Sequence, residues 1–124
     1  MFIEREGNFM FVDLIKKLVE GTSPITLKEA TSEAPNFMGC YKIFQHGTLK
    51  YVGKAEDGIR KRFVQYYNGT TVGYSSGSKI FANRDSLTVT WQICSSREEC
   101  RSLEKKWIEM YDPPWNVQSG WKRY

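Results

Sequence analysis

A carboxylate stands among apolar residues in the last predicted helix. Placed at 100° per residue, Glu104 falls inside a stripe formed by five apolar residues: Cys100, Leu103, Trp107, Ile108 and Tyr111. Burying an unpaired carboxylate is costly, so Glu104 should have a cation, a metal ion or a strong hydrogen-bond donor as its partner. A buried ion pair with an arginine is the purely structural alternative.

An arginine and a tyrosine share a flank of an earlier predicted helix. Arg62 and Tyr66 are four residues apart and lie beside Ile59 and Phe63, whereas Lys61 points away. A guanidinium binds phosphate through paired hydrogen bonds, and a tyrosine hydroxyl can donate to a phosphate oxygen or accept a proton from water. Taken alone, Tyr66 is better explained as a core residue.

Composition limits the number of domains and the kind of partner. A chain of 124 residues, 40% hydrophobic and 15% aromatic, predicts one domain with one core and one site. The net charge of +4 suits a polyanionic partner but does not identify one. No apolar run approaches the ~20 residues that span a bilayer, and residues 1–6 lack the features of a signal peptide. We therefore expect a cytoplasmic protein without a membrane partner.

The three cysteines indicate no disulfide framework. Cys40, Cys94 and Cys100 are odd in number, and none belongs to a CxxC or Cys/His pattern, so a zinc site is not indicated either. This cysteine usage fits a reducing cytosol.

A predicted hairpin carries two tyrosines. Strands over 39–44 and 48–53 surround a turn at 45–47. A two-residue loop would pair Tyr41 with Val52 and send Tyr51 to the opposite face, whereas a three-residue loop pairs Tyr41 with Tyr51. Because the longer loop, with Gly47 in the left-handed position of a bulge, is a favoured form, we expect Tyr41 to face Tyr51.

The remaining pattern predicts helices around one further strand. Asn8 caps a helix over 9–20 that Gly21 ends, and a connector over 21–37 holds Ser23-Pro24 as the start of a short helix. A helix over 59–67, a loop over 68–77, a helical turn over 78–83 and a strand over 87–94 follow. Ser95 or Ser96 caps the last helix, which ends near Tyr111 before two prolines.

Six elements, in order, resemble the GIY-YIG nucleases. They are Gly39-Cys40-Tyr41, Tyr51-Val52-Gly53-Lys54-Ala55, Arg62, Tyr66, Glu104, and Pro113-Pro114-Trp115-Asn116. Any one triplet is weak evidence, but all six in the family's order are hard to obtain by chance. The resemblance spans about residues 38–118, and its ending is especially similar to the phage endonuclease II branch.

The resemblance implies an α+β fold with a three-stranded antiparallel or mixed sheet flanked by helices and an extra N-terminal helix. It divides the chain into an N-terminal helix and connector packed on the core (1–37), a nuclease core (38–118) and a basic C-terminal tail (119–124).

For the site, the resemblance implies a metal-dependent DNA endonuclease with Mg²⁺, or Mn²⁺ in its place, held by Glu104 as the only protein ligand. Waters would complete the shell, as suits a hard cation that dehydrates reluctantly. Tyr41 and Tyr51 would include the group that orients or deprotonates the attacking water, and Arg62 would neutralise charge on the phosphate. The other catalytic and supporting positions would be Tyr66, Lys54, Lys79, Gly53 and Asn116, the last bracing Glu104 or the hairpin.

Two departures from the family pattern affect this assignment. Cys40 replaces an aliphatic residue, a tolerable change because cysteine is small and apolar. Gly58 adds one residue before the helix, so a fixed offset would select Lys61; the apolar pattern selects Arg62, with Arg60 as the alternate.

The leading hypothesis is cleavage of double-stranded DNA, and a homo-oligomer stays open. Six residues are expected to contact the DNA: Lys54, Arg60, Lys61, Lys79, Lys122 and Arg123. A DNA-binding module that does not cleave, and a structural domain in which Arg62 pairs with Glu104, are the alternatives. The only histidine, His46, lies at the hairpin tip, which leaves a histidine-based nuclease mechanism without its residues.

Overall fold

The structure, a computed structural model, describes residues 23–73 and 75–116. The predicted helix over 9–20 and the tail with Lys122 and Arg123 lie outside the described residues. Within the described part, no helix is long and apolar enough to cross a bilayer.

The described strands form a four-stranded sheet in which every pairing is antiparallel. Its strands are β1 (Ile25–Thr26), β2 (Gly39–Gln45), β3 (Thr48–Ala55) and β4 (Leu87–Ile93), in the order β1-β4-β2-β3. The predicted α+β class, with an antiparallel sheet flanked by helices, and the three predicted strands are confirmed; the sheet has one strand more than the three expected, the edge strand β1. The extra strand is only two residues long, within a stretch where Pro24 and polar residues give no strand pattern.

Helices cover both faces of the sheet. They are α1 (Leu27–Glu33), α2 (Ile59–Asn68), α3 (Ser75–Ala82) and α4 (Arg97–Tyr111), with a short 3-10 turn at Arg84–Ser86. The predicted start of α1 at Ser23-Pro24 is wrong, because Thr26 and Glu29 form a reciprocal capping box that begins the helix at Leu27. Helix α3 likewise begins three residues before the predicted helical turn.

Helix α4 begins and ends where the sequence predicts. The Ser96 hydroxyl accepts from the Glu99 N–H, and the helix ends at Tyr111, before the left-handed Asp112. The apolar stripe is shorter than predicted, since Tyr111 is 44% exposed. Its ring lies at the surface, where the Lys42 ammonium is 4.8 Å from the ring centroid.

The register of the β2–β3 hairpin differs from both sequence alternatives. The loop has two residues, His46 and Gly47, both with positive φ, but one residue, Lys50, is extra within β3. Tyr41 therefore pairs with Gly53, and Tyr51 pairs with Ile43, so the expected direct pairing of the tyrosines is wrong. The extra residue keeps both rings on the same face as diagonal neighbours, with centroids 6.3 Å apart.

Side chains alternate along the strands and so divide the core between the two faces. One cluster joins the sheet to α1 and α2 through residues that include Leu27, Ala30, Tyr41, Ile43, Ile59, Phe63, Val89 and Trp91. The other joins the sheet to α4 through Cys40, Val52, Cys94, Cys100, Trp107 and Ile108. Edge strand β3 lies between α2 and α4, so side chains from both faces can meet at its C-terminal end.

Candidate active site

Two of the predicted tyrosines form a buried pair behind the site. Tyr41 of β2 is fully buried, and its hydroxyl lies 2.5 Å from the hydroxyl of Tyr66 on α2, with either group able to donate. Burial, followed by the neighbouring tyrosines, raises the pKa of Tyr41 well above its ordinary value. The pKa of Tyr66 is raised by burial and then by Tyr51. Both phenols are therefore neutral and suited to positioning other groups.

Gly53 provides the space in which the tyrosine rings lie. A Cβ atom at this position would be 2.5 Å from the Tyr41 hydroxyl oxygen and 2.9 Å from Cε2 of Tyr51. No side chain fits at these distances unless a ring moves. Glycine in the second triplet is thus explained by the close approach of two side chains to the β3 backbone.

Arg62 lies against the tyrosine pair. Its Nη1 donates to the Lys54 carbonyl oxygen at 3.0 Å, which ties α2 to the end of β3, and its guanidinium interacts electrostatically with Tyr41 and Tyr66. Burial lowers the pKa of Arg62, but the two tyrosines outweigh burial and leave the pKa above its ordinary value. Arg62 is a fixed cation.

Glu104 reaches the same site from α4 and is half-buried. Burial raises the pKa of its carboxyl, against the opposing effects of Lys54 and Arg62. Across the described ranges, no salt bridge within 4.0 Å joins Glu104 to a cationic side chain. The Arg62–Glu104 ion pair of the structural alternative is therefore not formed.

An open cleft of about 520 Å³ brings these groups together. It is lined by Tyr51, Lys54, Glu56, Asp57, Arg62 and Glu104. A neighbouring cleft of about 390 Å³ shares Tyr51 and Arg62 and continues along α2 to Gly77 of α3. Tyr51 and Arg62 thus stand between two concave surfaces, and both are accessible to a ligand that occupies either one.

Glu56 is a cleft residue that sequence reasoning missed. Its carboxylate lies 3.1 Å from Lys54 Nζ, 3.6 Å from Arg97 Nε and 3.7 Å from Arg101 Nε. Its interaction with Lys54 is the largest of the effects that lower the pKa of Glu56. Its sequence signal was its position just after β3, two residues beyond Lys54.

The three basic residues in the first turn of α2 have different surroundings in the structure. Arg60 donates through Nε to the Ala34 carbonyl oxygen at 2.8 Å, and Lys61 lies 3.9 Å from the exposed Asp57 carboxylate. Arg62 is the one that lines both clefts. Lys79 is exposed on α3 and lines neither cleft, so it lies apart from the other residues that were predicted to be catalytic.

Asn116 braces the hairpin rather than Glu104. It is 2% exposed, and its side-chain amide accepts from the Val52 N–H at 2.9 Å and donates to the Val52 carbonyl oxygen at 2.8 Å. The Trp115 N–H donates to the carbonyl oxygen of Lys50, the extra residue of β3, at 2.9 Å. Trp115 and Asn116 therefore provide hydrogen-bond partners for backbone groups on the free edge of β3, on both sides of Tyr51.

A comparison with known proteins identifies this arrangement. Residues 37–118 match the family described as the GIY-YIG catalytic domain. The chain belongs to the GIY-YIG family. Its similar relatives include the UvrABC system protein C of Rhodococcus erythropolis, 33% identical over 96 residues, and that of Rhodococcus jostii, 32% identical over 96 residues. Each alignment covers 77% of this chain but 13% of the relative, so the chain spans only a small part of their length.

Solved GIY-YIG structures share the fold. The magnesium-bound N-terminal endonuclease domain of UvrC from Thermotoga maritima aligns with a TM-score of 0.58 at 24% identity, over 73% of this chain and 96% of that one. A mutant of bacteriophage T4 EndoII aligns with a TM-score of 0.57 at 15% identity, over 87% of this chain and 98% of that one. At these identities the likeness is one of fold.

These comparisons confirm the predicted family, because residues 37–118 match the GIY-YIG catalytic domain. The expected likeness to the phage endonuclease II branch is matched by the fold of T4 EndoII. The expected cation, magnesium, is the one bound by the UvrC domain.

Proposed function

We propose that this GIY-YIG protein hydrolyses phosphodiester bonds of double-stranded DNA with Mg²⁺ and a site made of Tyr51, Arg62 and Glu104. One observation carries the proposal. The Glu104 carboxylate shares a cleft with Arg62 and Tyr51, yet no cationic side chain of the described residues lies within 4.0 Å of it. A carboxylate that no cationic side chain contacts directly suits a divalent cation.

The donor set at this cleft fits Mg²⁺. Glu104 is its proposed protein ligand, and a cleft of about 520 Å³ leaves room for the waters that Mg²⁺ retains. Bound Mg²⁺ supplies charge stabilisation to the phosphate and lowers the pKa of a coordinated water. Mn²⁺ has the same preference for oxygen ligands and is proposed as a substitute.

Arg62 is proposed to bind the scissile phosphate. Its guanidinium is cationic, donates to the Lys54 carbonyl oxygen, interacts electrostatically with the two buried tyrosines and opens into both clefts. A guanidinium fixed in this way can bind two phosphate oxygens and offset the charge that develops on them. Lys54, in the same cleft, would add a second positive charge.

Tyr51 is proposed as the phenol that orients the attacking water. Tyr41 is fully buried with its hydroxyl against Tyr66, and its raised pKa keeps it protonated, so it is not available as a general base. Tyr51 lines both clefts, so its ring is accessible to a water bound in either one. In this mechanism Tyr41 and Tyr66 position Arg62, and Tyr51 accepts a hydrogen bond from the nucleophile.

The basic surface supports binding along the DNA backbone. Arg60, Lys61 and Lys79 are exposed on α2 and α3, and Lys54 enters the cleft. Lys122 and Arg123 are proposed to extend this surface from the C-terminal tail. One site cuts one strand, so a double-strand break would need two successive visits or a homo-oligomer.

The test is conversion of supercoiled plasmid to nicked and linear forms with Mg²⁺, with Mn²⁺, or with a chelator. We expect nicking by the wild type with either metal and none with the chelator. Glu104→Ala should abolish nicking, whereas Glu109→Ala, an exposed change on the same helix, should retain it. Metal-independent nicking, or nicking by Glu104→Ala, would overturn the proposal. DNA binding without nicking would assign the chain to the class of silent DNA-binding modules.

A further inference from the structure

The three cysteines, which follow no motif in the sequence, meet in space. Cys40 lies on β2, Cys94 directly follows β4, and Cys100 lies in the first turn and a half of α4. Their Sγ atoms all lie within 4.8 Å of one another. The thiols belong to the core cluster beneath α4, on the side of the sheet opposite Tyr41, and none takes part in the proposed hydrolysis.

The three thiols are buried and free. Cys40 and Cys100 are 0% exposed, and Cys94 is 5% exposed and lies nearest to solvent. The Cys40 thiol donates to the Cys100 carbonyl oxygen at 3.2 Å, and the Cys94 thiol makes a long contact, 3.9 Å, with the Gln92 carbonyl oxygen. The cluster thus has three sulfur ligands in place and few competing hydrogen bonds to break.

We propose that Cys40, Cys94 and Cys100 form a binding site for one thiophilic divalent ion of the Zn²⁺ class, separate from the Glu104 cleft. Zn–S bonds of about 2.3 Å place the sulfurs of a tetrahedral site about 3.8 Å apart. The present sulfur separations therefore need to close by at most about 1 Å, which small side-chain rotations provide.

Charge favours a divalent ion over a monovalent one. Binding of M²⁺ releases three thiol protons and leaves a complex of net charge −1, whereas Cu⁺ would leave −2. Among the apolar side chains Val52, Trp107 and Ile108 the smaller charge costs less to bury. Burial, followed by Cys94, raises the pKa of Cys100 to about 12, so an ion that binds this thiol must displace its proton.

A bound ion would link three segments of the fold. It would join β2, the end of β4 and α4, and Cys100 lies one helical turn before Glu104. Binding should therefore stabilise the fold and hold α4 in place, in the manner of a structural zinc site. The inference rests on the thiol geometry alone and does not depend on nuclease activity.

Titration of the reduced full chain with Cd²⁺ tests the proposal, because Cd²⁺ bound to thiolates gives an ultraviolet charge-transfer band that carboxylate-bound Cd²⁺ lacks. We expect the band to saturate at one equivalent and to be displaced by Zn²⁺. Removing one ligand in Cys94→Ala should weaken binding by at least about 100-fold, since even changes behind a ligand cost about 10- to 100-fold.

Two variants serve as controls. Glu104→Ala removes the proposed Mg²⁺ ligand, and His46→Ala removes the only histidine of the chain, so both should keep the band unchanged. A wild-type titration without a thiolate band would overturn the proposal and leave the cysteines as small core residues, whether or not the cysteine variants fold. A band retained at full strength in Cys94→Ala would overturn the three-cysteine site.

Discussion

The side-chain amide of Asn116 pairs with the backbone of Val52 in both directions, at 2.9 and 2.8 Å, as a neighbouring strand would. Val52 immediately follows Tyr51, and β3 is one of the two edge strands of the described sheet. A residue 64 positions away therefore fixes the strand segment that carries the cleft tyrosine. The contact connects the end of the family motif to its second triplet.

Replacing Asn116 tests this brace. Asn116→Ala leaves the Val52 N–H and carbonyl without partners at a buried position, which should lower the free energy of unfolding by about 2 to 3 kcal/mol. Urea unfolding measures the change, with the exposed Asn68→Ala as the matched control. Equal unfolding midpoints for the two variants would show that the pairing with Val52 contributes nothing.

The sequence predicted which segments form helices and strands better than it predicted the register in which the strands pair. The apolar periodicities of α2, β4 and α4 and the Ser96 cap are local signals, and the structure confirms them. The hairpin register depended on the extra residue Lys50, whose carbonyl bonds to Trp115, and such a long-range partner leaves no local signal. The meeting of three cysteines from distant segments was invisible for the same reason.

For the site, residue types and helical spacing were enough to predict the helix faces on which Arg62, Tyr66 and Glu104 lie. Arg62 lines both clefts, Glu104 lines the larger one and Tyr66 the smaller one. Glu56 was missed because a carboxylate after a strand has no pattern of its own. Its partners Arg97 and Arg101 come from α4, which only the tertiary structure brings near.

Gly53 is expected to tolerate no side chain. In Gly53→Ala the new methyl would start 2.5 Å from the Tyr41 hydroxyl oxygen, and Tyr41 has no free space because it is fully buried. We expect a loss of about 1 to 3 kcal/mol in unfolding free energy, as for an overpacked core, together with a large loss of nicking. Thr48→Ala, at an exposed position on the same strand, is the control and should change neither. Wild-type nicking by Gly53→Ala would contradict the tight tyrosine arrangement.

Glu104 should make folding stability depend on pH. Burial raises its folded-state pKa above the unfolded value of about 4.3, so the folded chain binds this proton more tightly than the unfolded chain. The stabilisation is complete below the unfolded pKa and is lost as the pH rises through the raised folded pKa.

Glu104→Gln should therefore resist urea better than the wild type at pH 7 without divalent ions, and the difference should shrink near pH 4. Mg²⁺ should stabilise the wild type and leave the variant unchanged. Glu109→Gln, exposed on the same helix, is the matched control. A variant less stable than the wild type at pH 7 would show that the Glu104 charge is already well compensated within the protein.

Glu56 should limit the binding of DNA phosphate by Lys54. Its carboxylate lies 3.1 Å from Lys54 Nζ and also holds Arg97 and Arg101, so three cations near the cleft are directed toward it. Glu56→Gln should release Lys54, strengthen DNA binding and steepen the salt dependence of the binding constant by about one phosphate contact.

A comparison with Asp57→Asn distinguishes the release of Lys54 from the effect of a general change in net charge. Asp57 lines the same cleft and its replacement changes the net charge equally, but its carboxylate is 70% exposed and lies 3.9 Å from Lys61 alone. Binding of a short duplex at several salt concentrations, with Ca²⁺ in place of Mg²⁺, should give the steeper slope only for Glu56→Gln. Equal slopes for the two variants would mean that Lys54 reaches the phosphate with Glu56 still beside it.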